Sequence, residues 1–547
     1  MNSIKIDWKC SGRDGSVLPF TFPDNGITDL FKIIQPFCGK ENSVTLTGTF
    51  ELDKPVTAVF GVAADGCWLF KVNGSILLDA RVSANSETPV YPDNHPFEID
   101  LDAGKNSFEL EIFGKEAAPV SFPVAFKQLA CRGKLEFKYQ PVIAFPDAEE
   151  NAVSVVFAGS VPSPAAVDYR LAGESRWTRF YESRGGQIRR DLQRHQIRLE
   201  DLKPGSNYEY RAVLIDDLRQ MKDSAYSETG VFRTPAQQGA FSFVATADLQ
   251  DKAQRLEYLK KLVGKDTPFA MDFFTYIGDV FWTTDCDLSI MDEFIVPFRE
   301  YSGNSLPLVM VRGNHETYGR EWYKYLKYFS LPDPGRDGYG MFRIGEVCFI
   351  VLDFCDDAPN IPQPSTRCFH DFEPYISRQL KWLKRAVAAA PVCRDAKFRI
   401  VLAHGVPVGD SKDYLPGHVR QVIDPVFGGK EPLSKLHLYL GGHIHRPFRS
   451  IPFAAACYSA CDPRKLPDPH PKVGEEYSFP VVITGGPSRI VTNPEFQATS
   501  IKVDVSGSQI NVSCYDINNQ EFDRFSIAPD GSIFGEKRRN DFKYFEY

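Results

Sequence analysis

The chain has 547 residues, a formal net charge of −8, 43% hydrophobic and 24% charged residues. That length asks for about three domains, and the composition is that of a folded protein, not of a disordered or fibrous one. The acidic balance excludes the basic stripe of a nucleic-acid binder, and no apolar run is long enough to cross a bilayer.

The N-terminus, MNSIKIDWKCSG, lacks the apolar stretch of a secretory signal. The twelve cysteines are scattered without a C-x-x-C pair, which argues against a zinc ribbon. Several, such as Cys348 in EVCFIVLDF, sit in apolar runs as small core side chains do. Both features set the expectation of a cytoplasmic protein.

Residues 1–133 read as all-β. VTLTGTFEL (44–52), VTAVFGVAA (56–64), CWLFKVNGSILLD (67–79) and FELEIFG (108–114) are short alternating or apolar runs punctuated by Gly, Asn and Asp. Asn73-Gly74 between two such runs signals a hairpin. A β-sandwich follows, and the WLFKVNGSILLD phrase resembles galactose-binding-like jelly-roll modules. That resemblance implies glycan binding, and a purely structural β-domain fits the same residues.

Residues 134–236 are again all-β. The stretch HQIRLEDLKPGSNYEYRAVL (195–214) places a Pro204-Gly205 turn before Tyr208 and Tyr210 on an alternating strand, and VFRTP closes the region. The tyrosine is similar to a tyrosine corner. The segment resembles the fibronectin-III-like N-terminal domain of purple acid phosphatases.

Residues 237–547 change character. KAQRLEYLKKLV (252–263) and SRQLKWLKRAVAA (377–389) carry apolar residues at helical spacing, between apolar runs that read as buried strands. The alternation predicts a layered α/β domain. Strands SIKVDVSG, QINVSCYDI and EFDRFSI follow, and the charged, aromatic tail GEKRRNDFKYFEY receives no assignment.

The chemistry lies where the buried strands stop. FSFVATAD ends at Asp248, with Gln250 two residues on, and FFTYIGD ends at Asp279. PLVMVRGNHE delivers Arg312, Asn314, His315 and Glu316, FRIVLAH ends at His404, and LHLYLGGHIH ends at His443 and His445. Ligands bind beyond the carboxyl ends of strands in open α/β sheets. Five strands thus carry metal-competent side chains to one edge, which packing alone does not explain. Carboxylate oxygens and imidazole nitrogens suit Mn, Fe or Zn.

The series D-x-Q, GD, GNHE, H, GHIH resembles the calcineurin-like metallophosphoesterases, and with the β-domain before it the purple-acid-phosphatase-like members. The resemblance implies a β-sandwich flanked by helices that holds two divalent metal ions. Asp248, Gln250, Asp279 and His445 would hold one metal. Asp279, Asn314, His404 and His443 would hold the other, with Asp279 bridging. It also implies metal-dependent hydrolysis of phosphate esters, monoesters before diesters, with His315 as general acid, Glu316 orienting it and Arg312 holding a phosphate oxygen. A phosphodiesterase on the same core, or a glycan-binding protein with a degenerate phosphatase domain, are the alternatives.

The substrate would be a phosphorylated small molecule of glycan or nucleotide type, with Asn314, Tyr414 and His418 lining its pocket beside Arg312. His437, alternating with apolar neighbours, suits an edge or packing role. TGGPS (484–488) reads equally as a plain turn or as backbone brought near the metals. Two positions depart from the family. Trp282 stands where purple acid phosphatases have a tyrosine ligand, so their colour should be absent. Gln250 replaces a histidine, and a weaker amide oxygen favours Mn or Mg there, or lower occupancy.

Overall fold

A computed structural model describes residues 4–12, 16–30, 43–81, 90–113, 123–130, 133–147, 150–219, 222–236, 238–284, 288–319, 321–329, 331, 338–354, 372–408, 416–463, 476–488 and 491–546. Tyr414 therefore lies outside the described residues. The chain forms two compact units, one of residues 1–136 with 215–224 and one of residues 137–214 with 225–547.

The first unit holds a six-stranded and a four-stranded antiparallel sheet. Strand Ser43–Leu52 alternates buried and half-buried positions as its sequence does. Cys67–Val72 and Ser75–Asp79 pair across Asn73-Gly74, with both turn residues at positive φ (47° and 81°), as a tight primed hairpin requires. A phenylalanine cluster fills the interior, with Phe60 4.9 Å from Phe108 and 5.5 Å from Phe126. Within this unit Arg219 bridges Glu98 (3.1 Å) and Asp100 (3.2 Å).

The second unit contains the α/β sandwich. Phe241–Thr246, Phe273–Ile277 and Leu308–Val311 run parallel in a ten-stranded sheet. Strand Phe137–Asp147 adjoins that sheet through a parallel pairing of Ala144 with Leu308, and Ala152–Gly159 lies beyond it. The second all-β segment thus lends strands to the ten-stranded sheet. Sequence pattern could not reveal this, because a pairing 164 residues away leaves no local trace. The segment's own five-stranded sheet is built on Ala165–Leu171 and Asn207–Asp216.

An eight-stranded sheet contains the parallel strands Val347–Leu352, Phe398–Ala403, Leu438–Gly441 and Val481–Ile483. Its outermost strand is Lys543–Glu546, paired with Ala456–Ser459. Ile533–Arg538 ends the ten-stranded sheet. The charged tail therefore supplies an edge strand to each sheet, which accounts for its alternation of charged and aromatic residues. Aromatic rings pack the interior, Phe243 stacked 4.8 Å from Phe273 and edge-on 5.4 Å from Phe349. Helices Lys252–Val263 and Phe372–Ala389 appear where helical spacing placed them, the second starting five residues earlier. Asp251 caps the first by accepting the Gln254 N–H at 2.9 Å. No described helix is long and apolar enough to cross a membrane.

Candidate metal centre

Each parallel strand stops one to three residues short of a polar side chain. Asp248 follows Thr246, Asp279 follows Ile277, Asn314 follows Val311, His404 follows Ala403 and His443 follows Gly441. The turns are sharp. Asp248, Asp279, His443 and His445 have φ of 62°, 57°, 74° and 50°, a region that costs energy for residues with a Cβ and that gathers at functional sites. The neighbouring glycines leave no room for a side chain. A Cβ on Gly278 would lie 2.6 Å from His404 Nδ1, one on Gly313 2.3 Å from Asp279 Oδ1, and one on Gly442 2.6 Å from Asp248 Oδ2.

The side chains converge in two triads, Asp279–His404–His443 and Asp248–Asp279–His445, in each of which one donor atom per residue lies within 4.8 Å of the others. Asp279 belongs to both. Its Oδ2 is 3.2 Å from His404 Nε2, and Asp248 Oδ1 is 3.5 Å from His445 Nε2 and 3.7 Å from His404 Nε2. Asn314 Oδ1 lies 3.0 Å from His443 Nδ1, and Gln250 Nε2 lies 3.1 Å from Asp279 Oδ2.

Backbone carbonyls set two imidazole tautomers. His404 Nδ1 is 2.7 Å from Ile277 O, and His445 Nδ1 is 3.0 Å from Pro487 O. A carbonyl only accepts, so both Nδ1 atoms carry a proton and both Nε2 atoms face the carboxylates. His404 Nε2 is buried and has no hydrogen-bond partner. An unprotonated Nε2 would repel a carboxylate at such distances, so the position takes up positive charge, as a proton on Nε2 or as a metal ion. Outer carbonyls on ligand histidines are a regular feature of metal sites. The electrostatics agree. Burial pulls the His404 imidazole down, but Asp279 and Asp248 outweigh it and raise it to about 10. Burial pushes Asp279 up, yet His404 and His315 hold it well below the carboxylate range. The position demands positive charge, and this donor set fits a divalent metal ion.

A model of the family described as calcineurin-like phosphoesterase matches residues 241–447, the segment that carries every one of these side chains. The chain carries a calcineurin-like metallophosphoesterase domain. Among solved structures, the purple acid phosphatase PPD1 from yellow lupin (Lupinus luteus) seeds is 14% identical, with 89% of this chain and 93% of that chain covered at a TM-score of 0.50. This likeness concerns the fold alone. The structure of PhoD is 12% identical over 73% of this chain and 91% of that one, at a TM-score of 0.44 too low to bear on the fold. No curated protein matches by sequence.

The phosphoesterase domain places the other sequence-chosen residues as follows. His315 stands on the rim, a fifth exposed, its Nδ1 2.9 Å from Trp282 O and its Nε2 3.9 Å from Asp279 Oδ2. Glu316 does not orient it. The Glu316 carboxylate is wholly buried and accepts backbone N–H bonds from Asp279 (2.9 Å), Gly313 (2.7 Å) and Val280 (2.7 Å). It ties two strand ends together.

Arg312 is buried in an ion pair with Asp353 at 2.6 Å. Asp353 also accepts from Tyr375 OH at 2.8 Å, and its backbone is held on both sides by Gln379. The guanidinium thus has a carboxylate partner in place of a substrate phosphate. His418 is buried on the helix Pro416–Phe427, and its ion-pair partner is Glu373 at 3.4 Å. TGGPS is more than a plain turn. Pro487 O holds His445, and a Cβ on Gly486 would lie 1.7 Å from Asp248 O.

Arg255 escaped the sequence reading, which took it as part of an amphipathic helix. It is wholly buried and donates from Nη1 to Leu249 O (3.0 Å), Gln250 O (2.9 Å) and Val280 O. The carbonyls of Ile277 and Trp282 escaped too, since a backbone atom has no sequence signature.

Proposed function

We propose that this protein hydrolyses phosphate monoesters with two divalent ions, shared through Asp279, and with His315 as general acid. The observation that carries the reading is the pair of triads meeting at Asp279 with the Nε2 atoms of His404 and His445 turned inward. Asp248, Gln250, Asp279 and His445 would hold one ion, and Asp279, Asn314, His404 and His443 the other. Manganese, iron and zinc all suit these donors. Ions bound there would polarise the phosphoryl group and supply a water acidic enough to attack at neutral pH.

The chain's own work is positional. Asp248 and Asp279 provide the negative charge that concentrates cations on this edge. Asn314 is fixed between His443 and Tyr318 OH, which accepts from its Nδ2 at 3.2 Å. The Trp282 carbonyl holds the Nδ1 proton of His315, so the Nε2 proton of the imidazolium is the one available. As the water oxygen bonds to phosphorus and the bond to the leaving oxygen breaks, that oxygen keeps the electron pair and takes the Nε2 proton.

The test compares p-nitrophenyl phosphate with bis-p-nitrophenyl phosphate on manganese-loaded protein. The monoester should be turned over at least tenfold faster. A preference for the diester overturns the monoesterase assignment and leaves the metal site standing.

A further inference from the structure

Trp282 is 60% exposed, the highest value among the large apolar side chains of the described residues. An exposed indole offers a large flat apolar face with a polar edge, the kind of surface enriched where a protein meets a partner. This one stands at the catalytic rim. Its ring centroid is 5.4 Å from that of His315, at an interplanar angle of 79°. Tyr318 flanks the same imidazole at 4.9 Å. The backbone beneath the indole is fixed, because Trp282 O is engaged by His315 Nδ1, Val280 N–H bonds Glu316, and Thr284 N–H donates to Tyr318 O at 2.9 Å. The exposed ring is therefore carried on a fixed stretch of backbone at the rim.

We infer that Trp282 is a specificity residue that stacks on the leaving group of the substrate, and that the preferred substrates are phosphate monoesters whose alcohol carries a flat ring close to the ester oxygen. This rests on the reading of His315 as the proton donor. The leaving oxygen must come within about 2.6–3.2 Å of His315 Nε2 to take its proton. A group one or two bonds beyond that oxygen then lies alongside the indole. A flat ring covers the indole face, as stacked aromatic pairs do. A small alkyl group leaves it wet.

The experiment uses full-length, manganese-loaded protein as wild type, Trp282→Ala and Trp282→Phe. It reads kcat/KM for phenyl phosphate against glycerol 2-phosphate, and calorimetric binding of phenylphosphonate against methylphosphonate. Comparing each ratio between proteins cancels the intrinsic reactivity of the two esters. In Trp282→Ala the phenyl-over-alkyl ratio should fall about tenfold in both assays, and Trp282→Phe should recover to within about threefold of wild type. Equal ratios in wild type and Trp282→Ala overturn the stacking role while the phosphoesterase reading survives. A wild type that binds neither phosphonate and hydrolyses neither ester overturns the underlying reading, and the inference with it.

Discussion

Glu316 Oε2 accepts the backbone N–H of Asp279 at 2.9 Å, and through that bond the carboxylate fixes the residue on which both metal triads meet. Arg255 does the complementary work from the other side, donating to the carbonyls of Gln250 and Val280. A buried anion gathers the N–H groups of these strand ends and a buried cation gathers their C=O groups. Glu316→Ala would leave the buried N–H groups of Asp279, Val280, Phe281 and Gly313 without this acceptor, at about 1–3 kcal/mol each. We expect an unfolding free energy lower by more than about 3 kcal/mol and weaker metal retention, both measurable by urea unfolding with and without manganese. Unchanged stability would show that Glu316 is not a clamp.

Arg312 gives a second separation of structure from chemistry. Breaking a buried ion pair by removing one partner costs about 3–5 kcal/mol. Arg312→Ala and Asp353→Asn should therefore lower stability by similar amounts, and the double variant should cost less than their sum. A residue that served only to hold substrate phosphate would instead raise KM with stability unchanged, and Asp353→Asn would be silent.

In the proposed ligand set Gln250 would be the weakest member, and in the structure its amide nitrogen donates to Asp279 Oδ2 at 3.1 Å. An amide oxygen holds a divalent ion less firmly than an imidazole does. Gln250→His should raise the metal retained after exhaustive dialysis, read by elemental analysis as moles per mole of chain. Gln250→Ala should lower it. A Gln250→His protein retaining no more metal than wild type would mean that this side chain stands outside the ligand set.

His437 sets a pH dependence away from the site. Its Nδ1 accepts the Arg399 N–H at 3.1 Å, so Nε2 carries the proton and donates to Pro529 O at 3.0 Å. Burial chiefly, with Arg399 and Lys435, lowers the imidazole to about 4, against the upward pull of the Pro529 carbonyl and, more weakly, of Asp530. Between pH 6.5 and 4 the unfolded chain takes up a proton that the folded chain refuses. Stability is thus fully present above pH 6.5 and falls as pH drops through that window, by roughly 3 kcal/mol at most. The difference in unfolding free energy between pH 7 and pH 4.5 should shrink in His437→Gln. An identical pH slope in both proteins would rule the imidazole out as its source.

How far the sequence was legible depends on range. The strand ends were readable because each apolar run stops at a metal-competent side chain, and Asp248, Asp279, Asn314, His404 and His443 meet as that pattern implies. The Asn73-Gly74 hairpin was readable because its turn chemistry is local. Glu316 and Arg312 look catalytic in sequence because they flank Asn314 and His315, yet both point into buried networks. A motif fixes which residues are neighbours along the chain, not which way each side chain turns. Arg255 was hidden for the same reason, its charge suggesting a solvated helix face. The pairing of Ala144 with Leu308, which adds the second β segment to the ten-stranded sheet, is a long-range contact without a periodic signal.

We propose that phosphate esters are hydrolysed at a metal centre to which Asp279 would contribute a ligand. The most direct measurement is a manganese titration of chelator-stripped protein, wild type beside Asp279→Asn, followed by p-nitrophenyl phosphate hydrolysis. Wild type should be inactive when stripped and should regain turnover as manganese is added, while Asp279→Asn should stay at least a hundredfold lower at saturating metal. Full activity of the stripped wild type, or equal recovery by the variant, would contradict the account.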